Sequence, residues 1–218
     1  MPAVLLDVDG TLVDSNYFHT VAWWRALDGE GHAVPMARIH RLVGMGADKL
    51  LEELLGKYDE ALEDAWQAHF AELRDDIPAT PGAADLARAA KERGATVVLA
   101  TSGKPDDVEV LRRTLGADEW IDGAVNSSEV DQSKPAPDIF ARALEVAGAD
   151  PADAVVVGDT VWDLKAAAAC DLTCVTVTCG GISRAELEEA GATAVYRDPE
   201  ELVADLDASP LGRLLTRR

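Results

Sequence analysis

The sequence predicts an α/β fold: a Rossmann-like parallel sheet with helices on both faces, plus an inserted α-helical cap subdomain. Three observations point there. Apolar runs at Ala3 to Val8, Thr96 to Ala100, Ala154 to Val157 and Leu172 to Val177 have the length of buried strands. Amphipathic helical patterns separate the later runs, and strands alternating with helices specify a parallel sheet with right-handed crossovers. From about Ser15 to Asp76 no strand-like run occurs, so helices interrupt the α/β pattern directly after its first strand.

The first strand runs through Val4, Leu5 and Leu6 into DVDGTLVDS, Asp7 to Ser15. Apolar residues then recur at helical spacing: Phe18, Val21 and Ala22; Leu50, Leu51, Leu54 and Leu55; Ala61, Ala65 and Ala68. Pro78-Ala79-Thr80-Pro81-Gly82 ends this stretch. Beyond it, Ala83, Leu86, Ala87 and Ala90 make a helix face that Gly94 ends. Val108, Leu111 and Leu115 make a second, ended by Gly116, and Ile139, Phe140, Ala143, Leu144 and Ala147 a third. The pattern divides the chain into an α/β core domain, 1–14 with 78–218, and a helical cap domain, 15–77. The connecting segments near Val13 and Ile77 would place the cap over the carboxyl end of the first strand. Ser209 to Arg218 is expected to fray, and Trp24, Trp66, Trp120 and Trp162 are expected to pack inside the core or the subdomain.

A chain of 218 residues, 48% hydrophobic and 28% charged, can bury a full core. Its formal charge of −20, from 40 acidic and 20 basic residues, repels nucleic acid and anionic membrane surfaces. An anionic substrate therefore needs a local cation or a cluster of donors. The expected state is a monomer or homodimer. Cys170, Cys174 and Cys179 give an odd count with no metal spacing, as expected of reduced, half-buried thiols. No leader pattern and no apolar stretch of about 18 residues is present, so the cytoplasm is the expected location.

In an open parallel sheet, ligands bind beyond the carboxyl ends of the strands. There the sequence places Asp7 and Asp9, then Thr101-Ser102-Gly103, then Asp159 followed by Asp163. Lys134, in SKPAPD, stands just before the helix containing Ile139. Converging carboxylates repel unless a hard divalent cation joins them, and Mg²⁺ suits oxygen ligands that leave room for water and phosphate. A calcium loop of the EF-hand type would need an acid or amide at Thr11 and glycine at Leu12, so it fails on spacing. A carboxylate facing a phosphoryl group can act as nucleophile through an aspartyl-phosphate. A second acid two residues on can protonate the leaving oxygen and then take a proton from water. Gly10 and Thr11 offer backbone N–H groups to phosphate, while Thr101, Ser102 and Lys134 offer hydroxyls and a positive charge. Bland roles compete: Thr101 and Ser102 could cap the helix after Pro105, Asp163 could serve the helix dipole, and His19 with Trp23 could be a packed pair.

DVDGTLVDS, the strand-end Thr101, SKPAPD and GDTVWD resemble the four ordered motifs of the haloacid dehalogenase superfamily, and the resemblance spans nearly the whole chain. The helical insertion resembles the cap of the phosphoglycolate-phosphatase and β-phosphoglucomutase branch. The resemblance implies Asp7 as nucleophile, Asp9 as acid/base and metal ligand through its backbone carbonyl, Asp159 as direct Mg²⁺ ligand and Asp163 as a more distant one. It implies Thr101 and Lys134 as phosphoryl ligands. Dehalogenases of the superfamily need no metal and lack an acid at the position of Asp9, so its presence points to phosphoryl transfer. His19 and Trp23 in YFHTVAWW resemble a His and Trp of sugar-phosphate enzymes, and RLVGMGADKLL, with Gly44 and Lys49, resembles the cap segment that reaches substrate. In the mutases an arginine lies three residues after the glycine matching Gly44. Here that residue is Ala47, which disfavours the mutase, although Lys49 or Arg41 could compensate. The expected function is a Mg²⁺-dependent phosphatase whose partner is a small phosphorylated metabolite; the alternatives are a phosphomutase and a non-catalytic ligand-binding protein on the same fold.

Overall fold

Strands without polar residues need cover on both faces, and the apolar runs find it in the middle of one sheet. The computed structural model describes residues 1–216. Strands β1 (Ala3–Leu6), β2 (Thr96–Ala100), β3 (Gly123–Val125), β4 (Ala154–Gly158), β5 (Thr173–Val177) and β6 (Ala194–Tyr196) form a parallel sheet in the order β3-β2-β1-β4-β5-β6. The helices are α1 (Asn16–Gly29), α2 (Met36–His40), α3 (Ala47–Leu55), α4 (Glu60–Ala71), α5 (Ala83–Glu92), α6 (Pro105–Leu115), α7 (Asp138–Ala147), α8 (Val161–Ala169), α9 (Arg184–Glu189), α10 (Pro199–Ala204) and α11 (Pro210–Leu215).

Side chains alternate across the sheet, as the two-residue strand period requires. Val4 and Leu6, with Val97, Leu99, Val155 and Val157, pack against Leu86 and Ala90 of α5, Leu202 of α10 and Leu211 of α11. Leu5, Val98 and Val156 face the other way, onto Ile139 and Phe140 of α7 and Leu164 of α8. Helices α1 to α4 hold a separate small core of Trp23, Leu27, Ile39, Leu50, Leu51, Leu54 and Leu62. The chain enters and leaves this helical subdomain at one place. There Asp14 N donates to the Pro78 carbonyl at 2.9 Å and Thr80 N to the Leu12 carbonyl at 3.0 Å.

Several expectations are corrected. β1 stops at Leu6 rather than Val8, because the Val8 carbonyl takes the N–H groups of Thr11, Leu12 and Val13 and so closes a tight turn. The edge strands β3 and β6, three residues each, are too short to register as apolar runs and exist through pairing with β2 and β5. The expected frayed tail is instead packed through its described part: Ser209 is buried and caps α11, and Leu211 and Leu214 lie in the main core. Arg217 and Arg218 fall outside the described residues. Trp24 is exposed rather than packed, since it sits beside Trp23 on α1 but on the helix's outer side. Cys174 is buried, beyond the half-buried state expected, because it alternates into the sheet's packed face. Among the described residues no helix is long and apolar enough to cross a membrane.

Candidate active site

β1 and β4 are neighbours in matched register, Leu6 beside Val157, so the residues following them emerge side by side. Asp7 N donates to the Val157 carbonyl at 2.9 Å, which fixes Asp7 next to the start of the Asp159 turn. Asp159 then leads into α8, where Thr160 and Asp163 form a capping box. The Asp163 Oδ2 accepts from Thr160 N at 3.0 Å and from its hydroxyl at 2.6 Å. This cap leaves Asp163 Oδ1 free to take Lys134 Nζ at 2.8 Å, and the same ammonium reaches Asp7 Oδ1 at 2.6 Å. Lys134 is only 1% exposed.

Asp7, Asp159 and Asp163 each offer an oxygen within 4.8 Å of the others. The Thr11 hydroxyl lies 3.2 Å from both Asp7 Oδ2 and Asp159 Oδ1, and Asn16 Nδ2 donates to Asp159 Oδ2 at 2.7 Å. Three buried carboxylates thus share one buried ammonium, an arrangement short of positive charge. Burial pushes the Asp7 carboxyl up to about 7, with Asp163 and Asp9 adding to the rise and Lys134 opposing it. Burial, then the Asp163 and Asp7 charges, raise Asp159 as well. The same two carboxylates raise Lys134, outweighing the burial that disfavours its charge. A hard divalent cation fits this donor set, which is all oxygen and under-neutralised. The Asn16 Oδ1, buried without a partner beside it, is one further oxygen donor.

Asp9 behaves differently. Its carboxylate turns away from the cluster and accepts Ser15 Oγ at 2.6 Å, His19 Nε2 at 3.0 Å and Thr101 Oγ1 at 3.2 Å. Burial alone would raise it, but His19, Ser15 and Thr101 overcome that and hold it down at about 2. Of the four residues expected at a metal, Asp9 is therefore the one whose side chain is absent from the cluster, leaving its backbone carbonyl.

The site opens into a cavity of about 260 Å³ between the sheet's carboxyl edge and the helical subdomain. Asp7, Asp9, His19, Gly44, Ser102 and Lys134 line it. Besides lining the cavity, His19 stacks its ring on Phe70 at 4.0 Å and sets its Nε2 3.0 Å from Asp9 Oδ1. Gly44, at φ +98°, lets its loop press on α8, since a Cβ there would lie 3.0 Å from the Thr160 methyl. Two expectations for phosphate contacts change. Gly10 N donates to the Val13 carbonyl at 2.8 Å and Thr11 N to the Val8 carbonyl, so the turn itself uses both N–H groups. Lys49 does not line the cavity: its neighbours Asp48 and Leu50 do, while Lys49 binds Glu52 at 2.9 Å elsewhere on α3. Sequence patterns missed Asn16 and Phe70, which carry no motif, the wall residues Glu63 and Lys104, and the roles of Ser15 and Ser133, which lie inside motifs without being singled out.

Comparison with known proteins shows the family. A family model for haloacid dehalogenase-like hydrolases matches residues 1–171. A phosphoglycolate phosphatase of Rhodospirillum rubrum is 31% identical over 211 residues, 90% of this chain and 87% of the relative. The crystal structure of a hydrolase from Pseudomonas syringae superposes with a TM-score of 0.90 at 35% identity, covering 95% of this chain and 98% of that one. A variant of CbbY from Rhodobacter sphaeroides in complex with xylulose-(1,5)bisphosphate gives a TM-score of 0.77 at 28% identity, over 93% and 96% of the two chains. With that family match spanning the strand-end carboxylates and their lysine, the chain belongs to the haloacid dehalogenase-like hydrolases.

Proposed function

We propose that this hydrolase is a Mg²⁺-dependent phosphatase that releases phosphate from a small phosphorylated metabolite through an aspartyl-phosphate on Asp7. The chain is a phosphoric monoester hydrolase of the haloacid dehalogenase type. The observation that carries the mechanism is the placement of Asp7: buried, at the floor of the cavity, gripped by Lys134 and flanked by Asp159 and Asp163.

Asp7, Asp159 and the Asp9 carbonyl would hold Mg²⁺, with Asp163 beyond them. The ion would supply the positive charge that keeps Asp7 ionised and draws in the phosphate. An Asp7 oxygen attacks phosphorus, the P–O ester bond breaks, and Asp9 gives its proton to the leaving oxygen. Asp9 is ionised as held here, and an incoming phosphate dianion favours its protonated form. After the alcohol leaves, water attacks phosphorus, Asp9 takes its proton, and Asp7 returns as a carboxylate. Lys134 and Thr101 steady the phosphoryl oxygens, Ser102 lines their side of the cavity, and His19 with Ser15 fixes Asp9.

Residues 15–77 act as the cap over a core of 1–14 and 78–218, a reading supported by the paired connectors at Leu12–Asp14 and Pro78–Thr80. Hydrolysis is favoured over the mutase reaction because Ala47 lines the cavity where the mutases place arginine, and no arginine lines it among the described residues.

Phosphate release from p-nitrophenyl phosphate tests the reading. It should require Mg²⁺, stop with EDTA, and vanish in Asp7→Asn, which keeps its fold because a buried like-charge repulsion is removed. Near-normal turnover by Asp7→Asn refutes the nucleophile. Hexose 6-phosphate formed from hexose 1-phosphate would favour the mutase, and no turnover at all the ligand-binding protein.

A further inference from the structure

We propose that the alcohol half of the substrate carries no second anionic group, being a neutral or cationic polar alcohol rather than a phosphoglycolate-like acid or a bisphosphate. This rests on the phosphatase reading and concerns the part of the cavity away from Asp7.

Four charged side chains line that distal part: Asp48, Glu63, Lys104 and Asp131. Lys104 is its one cation among the described residues, and it is already committed, with Nζ 3.0 Å from Glu63 Oε1. Tyr58 donates to the other Glu63 oxygen at 2.9 Å. The Glu63–Lys104 pair is thus internally neutral. What remains is negative. Asp48 takes the Ser133 hydroxyl at 2.7 Å, and the nearest ammonium, Lys49, stands 3.9 Å off and outside the cavity. Asp131 has no ion pair among the described residues. A second anion would meet no free cation and no guanidinium fork there, only Asp131 without an ion pair and Asp48 in a loose pair with Lys49. The formal charge of −20 opposes it further.

The rest of the wall suits a hydroxylated carbon skeleton. Trp23 and Trp66 lie parallel with centroids 4.7 Å apart, and Val43, Met45 and Leu50 continue the apolar surface. The Trp66 Nε1 donor is buried without a partner. The two indoles cover each other's faces, so what they add to the wall is apolar surface with no positive charge for a carboxylate.

Three esters with the same two-carbon length separate the alternatives: 2-hydroxyethyl phosphate, phosphoethanolamine and 2-phosphoglycolate. With Mg²⁺, kcat/KM for the neutral and cationic esters should exceed that for 2-phosphoglycolate by about tenfold or more. The double variant Asp48→Asn, Asp131→Asn should narrow that gap by improving 2-phosphoglycolate. Equal or better turnover of 2-phosphoglycolate by the unaltered protein, alongside turnover of p-nitrophenyl phosphate, overturns this inference and leaves the phosphatase reading standing. No phosphate from any of the four esters overturns both.

Discussion

His19 shows most plainly how neighbouring atoms decide a residue's role. Its resemblance to a histidine of sugar-phosphate enzymes suggested a substrate contact, and in the fold the ring also stacks on Phe70 and bonds Asp9 Oδ1 at 3.0 Å. A group that acts by orienting the acid should affect turnover more than binding. His19→Ala is therefore expected to lower kcat roughly tenfold or more while leaving KM little changed. Steady-state kinetics on p-nitrophenyl phosphate decide this, and a rise in KM alone would return His19 to the substrate wall. Asp7 and Asp159 could be picked from the sequence because a charge that ends a buried strand demands a partner, and Lys134 because an acidic crevice needs a fixed cation. Asn16 could not, since its bond to Asp159 spans 143 positions of chain and exists only after the strands pair.

At the scale of elements, helix starts are set by local chemistry, and Asp198 illustrates the energetics. It caps α10, with Oδ1 accepting Glu201 N at 2.9 Å and Oδ2 accepting Arg197 Nε at 2.7 Å. Although burial opposes it, these donors hold the carboxyl below its usual value of 3.8. A carboxylate depressed in the folded state stabilises fully above its unfolded pKa, and the contribution disappears as pH falls through the lower folded value. Asp198→Ala should cost about 0.5–2 kcal/mol at neutral pH. The difference in urea midpoint from the parent should shrink at pH about 3, below the model-peptide range; a gap of the same size at both pH values would mean the cap is not acting through its charge. Helices α5 and α6 were legible from apolar spacing and a terminal glycine, and α7 from apolar spacing alone. The edge strands β3 and β6, and helix α11, were not, because each is held by what it packs against and carries little pattern of its own.

Across the whole molecule the dominant long-range term is the net charge of −20. Exposed ion pairs such as Lys49–Glu52 and Arg112–Asp118 contribute little singly, whereas the surplus acids repel one another over a distance that salt shortens, from ~10 Å at 0.1 M to ~3 Å at 1 M. The melting temperature in NaCl should accordingly rise from 0.02 M to about 0.5 M, as scanning calorimetry would show, and a fall would mean that the ion pairs outweigh the repulsion. The sequence by itself determined the layered α/β order, the interruption by helices and the acids and lysine at the strand ends, because periodicity and buried charge are local properties of the chain. Only the tertiary structure decided which way each carboxylate faces. Asp7 and Asp9 are two residues apart, yet the tight turn sends one to Lys134 and the other to His19. The charge of the distal wall was decided there too, since Lys104 and Glu63 neutralise each other only once α4 lies across the start of α6.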